Sequence, residues 1–112
     1  MLYATILFFA LAAVVGFIIL KNWLTSAETS RTTVYLHGIF AALALILLIV
    51  YACQNPSNYP KASIILFVIG ALMGFYMFAE DLRKKFSPTW LAVIHALFGV
   101  SGFLVLLFFV FG

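Results

Sequence analysis

Four apolar runs, at about residues 2–23, 33–52, 63–82 and 89–111, take up most of this 112-residue chain. Each has about the 20 residues that cross roughly 30 Å of hydrocarbon at a helical rise of about 1.5 Å per residue. Lipid gives the backbone N–H and C=O groups no partners, so segments of this kind must be helices. Composition closes off a water-soluble alternative: 67% of the residues are hydrophobic and 8% are charged, too few polar groups to cover a soluble fold. With short connections between the runs, the chain reads as one integral membrane domain. The first run lacks a basic start and is longer than the apolar core of a secretory signal, so it is read as a retained helix.

The charges set an orientation. Lys21, Arg31, Arg83, Lys84 and Lys85 fall in or beside the first and third connections, whereas the second holds only Lys61. Basic loops stay on the cytoplasmic side, which predicts both termini outside the cytoplasm and, for a bacterial chain, residence in the inner membrane. The net charge of +3 is thus a topology signal rather than a nucleic-acid footprint. The single cysteine, Cys53, excludes an internal disulfide and reads as a small residue at the outer end of the second helix. Pro56 and Pro60 break the chain between the second and third helices. Ser87 is a candidate N-cap with Pro88 at the first position of the fourth helix, and Thr29 or Ser30 can cap the second.

Shifting the sequence against itself by 58 positions aligns its halves without a gap. Ala4, Ile6, Phe9, Ala13, Gly16, Phe17, Leu24, His37, Phe40 and Leu48 recur as Ala62, Ile64, Phe67, Ala71, Gly74, Phe75, Leu82, His95, Phe98 and Leu106. Apolar sequences match one another easily, so the Gly-Phe pair and the histidine carry most of the weight. The expected fold is all-α: a four-helix transmembrane up-down bundle of two tandem-repeated hairpins, related by a pseudo-twofold axis along the membrane normal. Helices two and four then run parallel and lie diagonally.

"VYLHGIFAALA", Val34 to Ala44, and "VIHALFGVSG", Val93 to Gly102, each place one histidine in otherwise apolar helix. His37 and His95 both lie about six residues, or roughly 9 Å, inside the cytoplasmic ends of their helices. Ionisable groups at such depth usually face the bundle interior and mark function. Zinc needs two or three further protein ligands, and a proton relay usually includes a buried carboxylate. Glu28, Glu80 and Asp81 all fall in or near the basic connections, so neither use fits. Haem iron needs only two axial ligands, because the porphyrin supplies the other four.

A macrocycle between helices also needs room. One and two turns beyond the histidines stand Ala41 and Ala44 on one helix and Gly99 and Gly102 on the other. Gly16 and Gly74 fall close to the same level on the antiparallel helices. Phe17, Phe40, Phe75 and Phe98 repeat around it as apolar wall, and Arg31, Arg83 and Lys84 stand at the cytoplasmic mouth, where propionates would emerge. Each feature has a plainer use: close helix packing for the small residues, core for the phenylalanines, and orientation or lipid phosphate pairing for the basic residues.

From "GALMGFYMF" and "RKKFSPTWLAVIHALFGVSGFLVLL" the chain resembles a family of small, uncharacterised bacterial four-helix membrane proteins, which implies no assigned activity. In layout it is also similar to the bis-histidine b-type cytochromes, including the cytochrome b561-like bundles. Those commonly hold two haems on four histidines; two histidines here allow one. The expectation is a haem b protein with His37 and His95 as iron ligands, and with Gly16, Gly74, Ala41, Gly99, Arg31 and Arg83 around the cofactor. Both axial positions filled by histidine imply electron transfer rather than oxygen binding. Its partner would be a quinone, superoxide or a redox protein. If the chain is an enzyme, it is a membrane oxidoreductase. A homodimer is a separate expectation, from small size and apolar outer surfaces. The competing readings are a structural or assembly subunit whose histidines bond to each other or to backbone, and a small transporter, which the absence of an intramembrane carboxylate disfavours.

Overall fold

The computed structural model describes residues 1–85 and 87–112, and among these it is all-helical. Helix α1 spans Leu2–Leu24, α2 Arg31–Gln54, α3 Lys61–Leu82 and α4 Thr89–Phe111. All four are long and apolar enough to cross a membrane, and the chain is a multi-pass membrane protein. The bundle measures 43 × 22 × 19 Å. Neighbours around it run α1, α2, α3, α4 and back to α1, so α2 and α4 are diagonal, as are α1 and α3. The α2–α3 seam is the loosest of the four.

α2 and α3 each begin two residues before the apolar run that announces them, and α2 also ends two residues later. Polar first-turn residues such as Arg31 and Thr32 belong to the helix, because Ser30 caps it: the Thr33 N–H donates to Ser30 Oγ at 3.2 Å. At α4 the expected cap is not formed. Pro88 occupies the N-cap position, and Ser87 Oγ is buried without a hydrogen-bond partner among the described residues. A serine one residue further from the helix is out of register to serve the orphan N–H groups of its first turn.

The first and third connections leave their helices by the same backbone route. In the first, the Ala27 N–H reaches back to the Asn22 carbonyl at 2.8 Å, with Ser26 left-handed at φ 58°. In the third, the Lys85 N–H reaches the Glu80 carbonyl at 2.9 Å, with Lys84 at φ 57°. This six-to-one closure satisfies carbonyls that a helix end leaves open. Glycine usually fills the left-handed position, but neither residue here is glycine.

Most side chains face outward, as a bundle immersed in lipid requires. The interior is narrow. Phe9, Ala44, Leu48, Phe67 and Leu106 form the buried cluster, and the Phe9 and Phe67 rings stack across it at 3.8 Å with planes 8° apart. Beside them Ser63 Oγ donates to the Gly102 carbonyl at 2.7 Å, joining α3 to α4. Phe9 with Phe67, His37 with His95, and Tyr51 with Phe109 meet as ring pairs, and each pair is separated by 58 positions.

Candidate functional site

α2 and α4 bring their histidines together. The imidazole centroids of His37 and His95 lie 6.1 Å apart with planes at 79°. Each ring is held from its own hairpin: His37 Nδ1–H donates to the Ala12 carbonyl of α1 at 2.8 Å, and His95 Nδ1–H donates to the Gly70 carbonyl of α3 at 2.7 Å. A carbonyl only accepts, so in the neutral ring both protons sit on Nδ1 and both Nε2 atoms keep a lone pair. Metal-ligating histidines are commonly held in this way, with one nitrogen bonded to a carbonyl and the other directed to the metal.

Gly16 and Gly74 make the approach possible. Each stands one turn beyond the carbonyl that accepts the bond, and a Cβ at Gly16 would lie 2.8 Å from His37 Cε1. At Gly74 it would lie 3.0 Å from His95 Cε1. The missing side chains are therefore filled by the imidazoles themselves. Gly102, two turns past His95, is filled in turn by the Phe67 ring, 3.1 Å from its Cβ position, and Ala44 is wholly buried in the same cluster. The room expected at Ala44 and Gly102 thus belongs to the stacked phenylalanines. One turn past the histidines the helices are more open: Ala41 and Gly99 are half-buried, and a Cβ at Gly99 would meet nothing within 4 Å.

The other expected contacts divide. Phe40 stacks on Phe8 at 6.3 Å, and Phe98 lies beside Gly70. Phe17 and Phe75 are on the outer surface, 54% and 69% exposed, facing away from the histidines. Arg31 pairs with Asp81 at 3.6 Å and Arg83 with Glu80 at 3.8 Å, both at the exposed end of the bundle. Among the described residues no group of three or more His, Cys, Asp or Glu side chains comes together. The protein's own donor set at this level is two imidazoles.

The anchoring carbonyls of Ala12 and Gly70 were not among the residues the sequence singled out. Backbone acceptors on a neighbouring helix leave no side-chain signature; the one available clue is that both bonds span 25 residues. Comparison of the chain with protein-family models, with curated proteins and with solved structures gave no match. Fold and site therefore define a class, a helical multi-pass membrane protein with a fixed pair of interior imidazoles.

Proposed function

We propose that this chain is a haem b-binding membrane protein of the electron-transfer type, in which His37 and His95 would hold the iron. The observation that carries the reading is the pair of Nδ1-anchored imidazoles with centroids 6.1 Å apart. The two rings, each with Nε2 left free by its Nδ1 bond, are the residues that would hold the iron. The donor chemistry fits the group: two neutral nitrogens suffice when four more come from a macrocycle. Bound haem would supply a low-spin iron that takes up and gives back one electron.

The chain's own residues do the rest. The Ala12 and Gly70 carbonyls fix the tautomer and make Nε2 a better donor. Gly16 and Gly74 admit the rings, and Ala41 and Gly99 keep bulk away from the next turn. Arg31 and Arg83 are the nearest expected partners for propionates, and each would exchange a carboxylate at the bundle end for one. The meeting of ring pairs 58 positions apart, together with the like turns at Ser26 and Lys84, supports two duplicated hairpins. The placement of Lys21, Arg31, Arg83, Lys84 and Lys85 at one end supports a cytoplasmic location for that end in a bacterial inner membrane. Quinone, superoxide and a redox protein remain the partner classes, and a homodimer the oligomer to look for.

A structural reading has one observation in its favour: each histidine already ties two helices together through its Nδ1 bond. A visible spectrum separates the two. Purified in detergent after expression with ample haem, the protein should show a sharp, reducible Soret band, abolished by His37→Ala and by His95→Ala. A colourless, folded protein would overturn the haem reading and leave the structural one.

A further inference from the structure

The two hairpins share a turn but not the side chains on it. On the outer face of α3 and α4 lies a groove of about 390 Å³, lined by Leu72, Met73, Tyr76, Pro88, Trp90 and Leu91. It runs from the first turn of α4 to ten residues inside α3, a depth of about 15 Å. Trp90 is 62% exposed in the first turn of α4, at the level where aromatic residues meet lipid headgroups, and Tyr76 is 56% exposed six residues deeper on α3. The turn with Arg83, Lys84 and Lys85 ends three positions before the groove's Pro88. Arg83 is engaged by Glu80, whereas Lys84 and Lys85 make no ion pair among the described residues.

The first hairpin serves as an internal control. Its turn residues Thr25 (φ −97°, ψ 5°) and Ser26 (φ 58°) have almost the same backbone as Arg83 (φ −86°, ψ 6°) and Lys84 (φ 57°). The corresponding side chains are Thr25, Ser26 and Ala27, with no positive charge, so the turn itself does not call for lysine. Counting back 58 positions, Tyr76 and Trp90 become Ile18 and Thr32, and Pro88 becomes Ser30. The first hairpin carries Lys21, Trp23, Arg31 and Tyr35 at the same end, so what sets the second apart is the pair of lysines in the turn itself, next in sequence to a helix that lines a groove.

We infer that the α3–α4 hairpin binds an anionic phospholipid, with an acyl chain along the groove and the phosphate headgroup at Lys84 and Lys85. The groove alone would accept any acyl chain; the two ammonium groups of the turn, four and three residues before Pro88 in the chain, select a headgroup with net negative charge. Each basic residue near the surface favours such a lipid by about fivefold. The site does not depend on the histidine pair.

The test uses Trp90 as the reporter. Trp23→Phe leaves Trp90 as the sole tryptophan of the two. The full-length protein is reconstituted in phosphatidylcholine bilayers with increasing fractions of brominated-chain phosphatidylglycerol or brominated-chain phosphatidylcholine. Quenching by the anionic lipid should reach half-maximum at a fraction at least about fivefold lower than by the zwitterionic one. Lys84→Gln with Lys85→Gln should bring the two curves together, while Lys21→Gln, at the same membrane face on the other hairpin, should leave them apart. Superimposed curves in the parent would overturn the inference, as would equal loss of preference in the Lys21→Gln protein. Unchanged helical circular dichroism in each variant establishes that the comparison is between folded proteins.

Discussion

Replacing Gly16 by alanine should disable one half of the histidine pair without touching a histidine. The new Cβ would stand 2.8 Å from His37 Cε1 and 3.1 Å from Nδ1, whereas ordinary contacts begin at 3.4 Å. The ring must retreat by about half an ångström or more, which carries the 2.8 Å bond to Ala12 past the roughly 3.2 Å limit of a good N–H···O contact. An interhelical hydrogen bond in a membrane contributes about 0.6 kcal/mol on average. Overpacking a filled interior adds about 1–3 kcal/mol, so the expected loss is about 1.6–3.6 kcal/mol. Gly38 is the control, since a Cβ there meets nothing within 4 Å; Gly38→Ala should leave stability unchanged or raise it by up to about 1 kcal/mol. Denaturation in detergent followed by circular dichroism measures both, and nitrogen NMR of the imidazoles reports whether His37 keeps its proton on Nδ1. Equal stability of the two variants, with the His37 tautomer unchanged, would refute the account of Gly16 as the seat of the ring.

The left-handed turn residues offer a stabilising change: Ser26→Gly and Lys84→Gly should each raise stability by about 1 kcal/mol, and a loss in either would mean that the side chain contributes more than its backbone strain removes. Leu48→Ala and Leu106→Ala should each lower it by about 2–4 kcal/mol, and by similar amounts, because both side chains are wholly buried. Unequal losses, beyond about 1 kcal/mol, would show that the two halves of the interior are packed differently. Ser63→Ala removes the 2.7 Å bond to Gly102 and should cost about 0.6–1.7 kcal/mol in the same assay.

The four spans were legible because lipid reduces the choice of structure to helices, so hydropathy alone locates them. The depth of His37 and His95 followed from counting, and their meeting from the diagonal arrangement that short connections impose. What the sequence left hidden was the agent that fixes the rings. The carbonyls of Ala12 and Gly70 carry no residue-type signal, and Gly16 and Gly74 read equally well as room for a cofactor or for close packing. The structure gives them to the imidazoles. Arg31 and Arg83 were legible as basic residues at one membrane face, but their carboxylate partners Asp81 and Glu80 were not. One bond crosses between hairpins and the other depends on side-chain rotamers at a helix end. Ser87 failed as a cap for a similar reason: composition announces a helix start to within a residue or two, while capping requires the one correct register.

Each imidazole donates its Nδ1–H to the helix with which it shares a hairpin, His37 to α1 and His95 to α3. The bond that sets orientation and tautomer is therefore local to each hairpin. Docking α1–α2 against α3–α4 adds one quantity, the separation between the two rings. The protein thus behaves as two prefabricated half-sites joined by the short link from Asn55 to Pro60. Expressed as separate hairpins, residues 1–56 and 57–112 would each carry a ready-made ligand, and reassembly in one membrane would be readable directly as the return of the paired geometry.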